Sequence, residues 1–258
     1  VQGRAFQTLG QLCFNNIEVG DIIGENDQYL HACLTTLQGL HENDETSKMM
    51  AISSLSNVAT VSCVNHPRLL RTVPFVIGIL QDTQAKKLMR SYCVTFLGNL
   101  ARNQTNHPAL ESAIEPLINV VMSADPELGF VTSAEAVAHL TGDQETGLSM
   151  QARKKIAQHL ISALKASLVD KDYPTGSCLL YESKGLADAI TIFAYTQANR
   201  RQLLNFGIVS TIREVFVLKR PSLPIENAKS NDGDSKDLLN QMLNTLVLMT
   251  AYQPACEV

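Results

Sequence analysis

At 258 residues, with 45% apolar and 18% charged side chains, the chain has ample material for a large core and lacks the polar, highly charged signature of a disordered segment. The formal net charge of −4 is too mild to argue for a surface that binds nucleic-acid phosphate or an anionic membrane, both of which call for clustered Lys and Arg, and neither partner is expected. No apolar run approaches the roughly 18 residues needed to cross a bilayer.

The first predicted helix covers residues 4–15, with Ala5, Leu9, Leu12 and Cys13 at helical spacing, and reads as the last helix of a first unit. A short helix over 16–25 follows, expected to stop at Gly24, where glycine adopts left-handed geometry cheaply. The next helix, 28–40, presents Leu30, Leu34, Leu37 and Leu40. The polar loop HENDETS then leads into a helix over 48–60, with Asp44 or Thr46 as the predicted N-cap.

The following stretch is better punctuated. Asn65 is predicted to cap a short helix with Pro67 in its first turn, where proline loses no hydrogen bond. Pro74 opens VPFVIGILQD, and a long helix spans 86–102. The order then recurs: Asn106 and Pro108, a helix over 114–123 with Pro116 near its start, and a long helix over 127–141.

Beyond this point the punctuation loosens. Helices are expected over 156–168 and 177–195, joined by VDKDYPTG, whose Pro174 and Gly176 mark a turn. Residues 199–206 with Gly207 restore the short helix, and 208–218 the middle one. Residues 219–236, KRPSLPIENAKSNDGDSK, are too rich in Pro, Ser, Asn, Gly and Asp to bury apolar area and read as a flexible insertion. A helix over 237–252 closes the series, and Pro254 would open another unit.

These elements are copies of one pattern. Leu55, Asn57, Val58 and Ala59 are answered 42 residues later by Leu97, Asn99, Leu100 and Ala101, and Asn65-His66-Pro67 returns 41 residues on as Asn106-His107-Pro108. The third copy closes Val137-Ala138-His139-Leu140-Thr141, with histidine in place of asparagine. Anchors on the small residue ending each third helix fall at 13, 59, 101, 141, 194 and 250, in steps of 46, 42, 40, 53 and 56. The first three steps lie in the roughly 40–47 range of three-helix or two-helix repeats, and the last two exceed it by about the length of the two polar loops. Only 5% of residues are aromatic and Trp is absent, so the helices are expected to pack through aliphatic ridges.

The short helix, the glycine or proline turn, the middle helix with P-x-x-x-x-x-L and the third helix ending L-x-N-L-A resemble an armadillo repeat. The resemblance runs over nearly the whole chain and is clearest at 73–101 and 208–218; the separate short first helix favours armadillo over HEAT repeats. It implies one all-α, right-handed solenoid domain over 1–258, with about five full or partial units, acting as a protein-interaction scaffold. The third helices would line a concave wall that binds an extended peptide segment of a partner.

On that wall Asn57 and Asn99 match the family's asparagine ladder, whose amides both donate to and accept from a peptide backbone. The same face adds Ser53, Thr95 and Glu135 four residues earlier, Asn103 one turn on, Tyr92 about two turns behind Asn99, and His139 at the third ladder position. The competing reading is that these asparagines only satisfy neighbouring backbone or water between helices. Importin-alpha-type adaptors pair each ladder asparagine with a tryptophan, and Ser53 and Thr95 stand there instead. Catenin-type grooves present rows of Lys and Arg, almost absent from this strip.

Catalysis finds little support. Of His31, His41, His66, His107, His139 and His159 no two form a zinc-type pair, and phosphate-loop, dinucleotide and nucleophile-elbow motifs are absent. No cofactor or metal is expected. His66 and His107, at equivalent turns, read as structural echoes, and His139 with Glu135 as a helix pair that could respond to pH. Ser222, after Lys219 and Arg220, is a candidate regulatory phosphorylation site within a loop that is otherwise simply tolerated.

The alternative function is a regulatory sensor that binds a small metabolite and restrains a fused catalytic domain; a chaperone or exchange-factor cofactor is a third. Cys13, Cys33, Cys63, Cys93, Cys178 and Cys256 form no C-x-x-C pair and are expected as buried, reduced thiols of an intracellular protein, cytoplasmic and also nuclear. The chain starts at Val1 and both ends fall inside apparent repeats, so it reads as a piece of a longer protein.

Overall fold

The computed structural model describes residues 2–39, 45–123, 125–144, 147–169, 183–218 and 232–250. Its α-helices follow in order as α1 (Gln2–Cys13), α2 (Ile17–Glu25), α3 (Asp27–Leu37), α4 (Glu45–Val61), α5 (His66–Leu69), α6 (Val73–Gln81), α7 (Lys87–Ala101), α8 (His107–Leu110), α9 (Ile114–Ser123) and α10 (Phe130–Thr141), then α11 (Met150–Leu168), α12 (Ser183–Phe193), α13 (Gln197–Asn205), α14 (Ile208–Leu218) and α15 (Asp232–Thr250). Short 3-10 turns join several of them, and among the described residues there is no strand. They fall into two compact units that divide at Ala136 and Val137, within α10.

In the first unit the long helices α1, α4 and α7 lie side by side, α2 and α3 pack on α4, and α6 packs on α7. The pattern on α4 shows why: Ala51, Ile52, Leu55, Val58 and Ala59 recur at helical spacing and are all buried. Small residues let the long helices close up. A Cβ added to Gly10 would stand 3.0 Å from the Ser54 Cα, and one added to Gly98 would stand 3.0 Å from a Thr132 methyl. In the second unit α11 packs against α12, α13 and α14, and α15 covers α12 and α14. Arg153 is buried there, its Nε donating to the Leu148 carbonyl at 3.2 Å and its guanidinium to Asn199 Oδ1, which ties α11 to α13.

The ends of the third helices match the sequence anchors to within two residues: Cys13, Val61, Ala101, Thr141, Phe193 and Thr250. Several starts and stops differ. α4 begins at Glu45, so Thr46 lies inside its first turn; Asp44 is outside the described residues. α2 runs past Gly24 to Glu25, and Gly24 is needed for closeness instead of a left-handed stop: an added Cβ would come within 2.5 Å of the Asn65 carboxamide. The long helix expected from 127 begins at Phe130, after a 3-10 turn that Gly129 ends at φ 71°. α11 starts six residues early, at Met150, because Ser149 Oγ accepts from the Ala152 N–H at 3.1 Å as an N-cap. α15 starts at Asp232, inside the expected insertion, of which 219–231 lie outside the described residues, as do Pro174 and Gly176.

Asn65 and Asn106 are not side-chain caps. Asn65 Nδ2 donates to the Asp21 carbonyl at 3.1 Å and to Ser62 Oγ at 2.9 Å, and Asn106 Nδ2 donates to the Leu100 carbonyl and to His66 Nδ1, both at 2.8 Å. The two histidines do echo each other: Nε2 of His66 donates to the Ala59 carbonyl and that of His107 to the Ala101 carbonyl, each at 2.8 Å.

Cys13, Cys33 and Cys93 are buried free thiols, whereas Cys63 is exposed; Cys178 and Cys256 lie outside the described residues. Burial pushes the Cys33 thiol up to about 12, partly offset by its hydrogen bond with Tyr29, and raises Cys93 and Cys13 in the same direction. At pH 8 the Cys33 thiolate is thus on the order of one part in ten thousand, and it is also sterically shielded. Iodoacetamide labelling read by peptide mass spectrometry is expected to modify Cys63 at least about 100-fold faster than Cys33. The linkage has a fixed sign. An unfolded thiol ionises near 9, so stability held below that pH is expected to drain away as pH rises toward 12.

Candidate partner-binding face

In the first unit Ser53 and Asn57 share one face of α4, and Tyr92, Thr95 and Asn99 share one face of α7; all five are half-buried. Asn57 Nδ2 donates to the Gly10 carbonyl of α1 at 2.9 Å. Asn99 Nδ2 donates into α4, to the Ser56 carbonyl and Oγ at 3.1 Å each and to Thr60 Oγ1 at 2.7 Å. Each amide nitrogen therefore bridges one third helix to the one before it. The Oδ1 atoms make no hydrogen bond within the described residues, so each ladder position keeps a fixed acceptor at the surface. Thr95 Oγ1 donates to the Ser91 carbonyl one turn back, at 3.1 Å.

The strip does not extend as expected. Asn103 lies past the end of α7 and caps the next 3-10 turn, its Oδ1 accepting from the Thr105 N–H at 3.1 Å and from Thr105 Oγ1 at 2.8 Å. Glu135 and His139 are each only 5% exposed, because α10 is buried on every side. Its sequence, FVTSAEAVAHLT, mixes apolar residues with Thr132, Ser133, Glu135, His139 and Thr141, and all of them are buried. Ser222 lies outside the described residues.

The second unit has its own polar row, which the sequence reading missed. His139 Nε2 stands 3.9 Å from Asp188 Oδ2, and Gln241 Nε2 donates to Asp188 Oδ1 at 3.1 Å. One turn on, Thr191 Oγ1 meets Thr245 Oγ1 at 2.8 Å and donates to the Gln241 carbonyl at 3.2 Å. One turn back, Lys184 Nζ pairs with Asp237 at 2.6 Å. Between α12 and α15 lies a groove of about 410 Å³ lined by Asp188, Thr191, Ile192, Tyr195, Gln241, Asn244, Val247 and Leu248. The signal was present in sequence: after 57, 99 and 139 the polar position steps 49 residues to Asp188 and 53 to Gln241, and Asp188 and Thr191 interrupt the otherwise apolar LADAITIF.

Among the described residues no three His, Cys, Asp or Glu side chains gather to hold a metal ion, and no helix is long and apolar enough to cross a membrane.

The sequence matches no protein-family model and no curated relative. Solved structures do resemble it. A designed armadillo repeat protein, YIII(Dq)4CqI, superposes with a TM-score of 0.60 at 16% identity, covering 96% of this chain and 92% of that one. A second design, YIII(Dq.V1)4CPAF in complex with the peptide (KR)4, gives a TM-score of 0.57 at 16% identity over 95% and 92%. An engineered protein gives 0.57 at 14% identity over 97% and 93%. The fold is that of an all-α, armadillo-like repeat solenoid.

Proposed function

We propose that the chain is a protein-interaction scaffold that holds an extended segment of a partner protein against the polar faces of its third helices. The observation that carries this reading is the state of Asn57 and Asn99. Their nitrogens are committed between repeats, which locks the side chains, and their oxygens stand as preorganised acceptors for the N–H groups of a strand-like peptide. Ser53, Tyr92 and Thr95 flank them with hydroxyls and one aromatic ring. That a similarly folded design carries a peptide in its structure supports the reading at the level of fold.

The test must spare the ladder, since the asparagines also hold the repeats together. A random peptide library is selected against the chain, and the enriched peptides are measured against Ser53→Arg and Thr95→Arg, which crowd the face without touching the inter-repeat amides. Loss of more than tenfold in affinity in both variants, with unchanged helicity, is expected. Failure to enrich any peptide, or equal binding to the variants, overturns the proposal.

A further inference from the structure

We infer that the outer flank of α15 is a dimer interface, on which α15 of a second copy of this chain lies antiparallel. Leu239, Leu243, Leu246 and Thr250 follow one another at steps of 4, 3 and 4 residues, which sets them in one row along the helix, with Val247 beside it. The row turns away from the core, which α15 meets through Leu238, Met242, Thr245 and Met249. Leu243 is 46% exposed and Val247 65%, while Leu239 and Leu246 are half-buried.

The repeat shows that this flank has the pattern of a covered one. Leu243 and Leu246 stand seven and four residues before the anchor at 250, the places held by Ile52 and Leu55 on α4, by Val94 and Leu97 on α7 and by Ala187 and Ile190 on α12. All six are fully buried, and α7 packs on α4 as α15 packs on α12. The flank therefore continues an established junction, and it differs from the inner ones at one position. Three residues before the anchors stand Gly10, Ser56, Gly98, Ala138 and Thr191. Gly10 and Gly98 allow close approach, and the hydroxyls bond the next helix: Ser56 Oγ accepts from Asn99 Nδ2, and Thr191 Oγ1 meets Thr245 Oγ1. On α15 the place belongs to Val247, branched at Cβ and without a hydroxyl, so the flank is an aliphatic ridge with no polar tie to offer.

A leucine ridge at this spacing is complementary to itself. A two-fold axis through its middle sets Leu243 of each copy against Leu246 of the other. Antiparallel order also separates the two N-terminal turns, where Asp237 is exposed and a parallel pair would set it against its twin. The row is about 17 Å long, at the small end of specific interfaces, so the dimer is expected to be reversible, with a Kd on the order of micromolar.

The experiment is sedimentation of the full 258-residue chain from about 1 to 200 µM, with circular dichroism to confirm equal helicity of every variant. The mass is expected to rise from one chain to two and no further. Leu243→Lys and Leu246→Glu, each alone, are expected to weaken the dimer at least about tenfold, because each sets a charge against leucine. Mixed in equal amounts, the two variants are expected to recover a dimer within about threefold of the parent: lysine meets glutamate at one contact and leucine meets leucine at the other, an outcome that only the antiparallel register allows. Leu243→Lys, at the more exposed position, decides alone should Leu246→Glu lose helix. A parent that stays monomeric throughout overturns the proposal, as when the flank is covered by some other segment. A mass that climbs past two chains, a dimer indifferent to Leu243→Lys, or a mixture of folded variants that stays monomeric overturns it too.

Discussion

Replacing Gly142 with alanine is expected to cost the second unit about 3 kcal/mol. Gly142 follows α10 directly, where the chain passes the end of α12. A Cβ there would lie 2.5 Å from the Ala138 carbonyl oxygen and 2.7 and 2.8 Å from the carbonyl oxygen and carbon of Ile192. All three obstacles are backbone, so no side-chain rotation relieves the clash, and the ends of two third helices must move apart. Urea unfolding followed through amide exchange of α12 reads the effect as a lowered midpoint at unchanged slope. Gly78→Ala is the control. Gly78 sits within α6, exposed, with nothing within 4 Å of an added Cβ, and alanine there is expected to stabilise by roughly 0.5–1 kcal/mol. Equal behaviour of the two variants would refute the packing argument.

How far the sequence speaks depends on whether a residue's role is local. The third-helix ends were legible because L-x-N-L-A and its relatives repeat a fixed order of large, polar and small residues that no other part of the unit shares. α9 and α14 were found to the residue, since their apolar spacing is bounded by polar neighbours or glycine on each side. Gly24, Asn65 and Asn106 were misread for one reason. Each looks like local punctuation, a stop or a cap, yet each acts on a segment about 40 residues away: Asn65 Nδ2 donates to the Asp21 carbonyl and Asn106 Nδ2 to His66 Nδ1, where a cap's oxygen would accept from the next helix's N–H groups. Glu135 and His139 looked solvent-facing because they are polar, but every residue of the helix that carries them is buried. The second row of polar residues escaped because the repeat lengthens after 141, and a ladder counted at a constant step walks off Asp188 and onto apolar positions.

Asn106→Asp tests that non-local role with a change of one atom. Asn106 is 1% exposed, and its Nδ2 meets the Leu100 carbonyl and His66 Nδ1. The His66 nitrogen must be an acceptor, because Nε2 of the same ring faces the Ala59 carbonyl and so carries the proton. An ionised carboxylate would bring an oxygen with no hydrogen against two acceptors, in a site closed to water. Stability is expected to fall by about 3 kcal/mol near neutral pH, from two orphaned acceptors and a buried charge. The pH dependence has a definite sign. Burial among acceptors raises the folded-state value of the new carboxyl above its unfolded value near 4, so the charged form is the disfavoured one. The penalty is therefore smallest below about pH 4, where the carboxyl keeps its proton in both states and donates once, and it grows as pH rises through the raised folded value. Denaturant unfolding of the variant and parent from pH 4 to 8 measures the difference; a penalty below about 1 kcal/mol, or one flat in pH, would show that the carboxamide is not the donor that joins the two units' histidine turn.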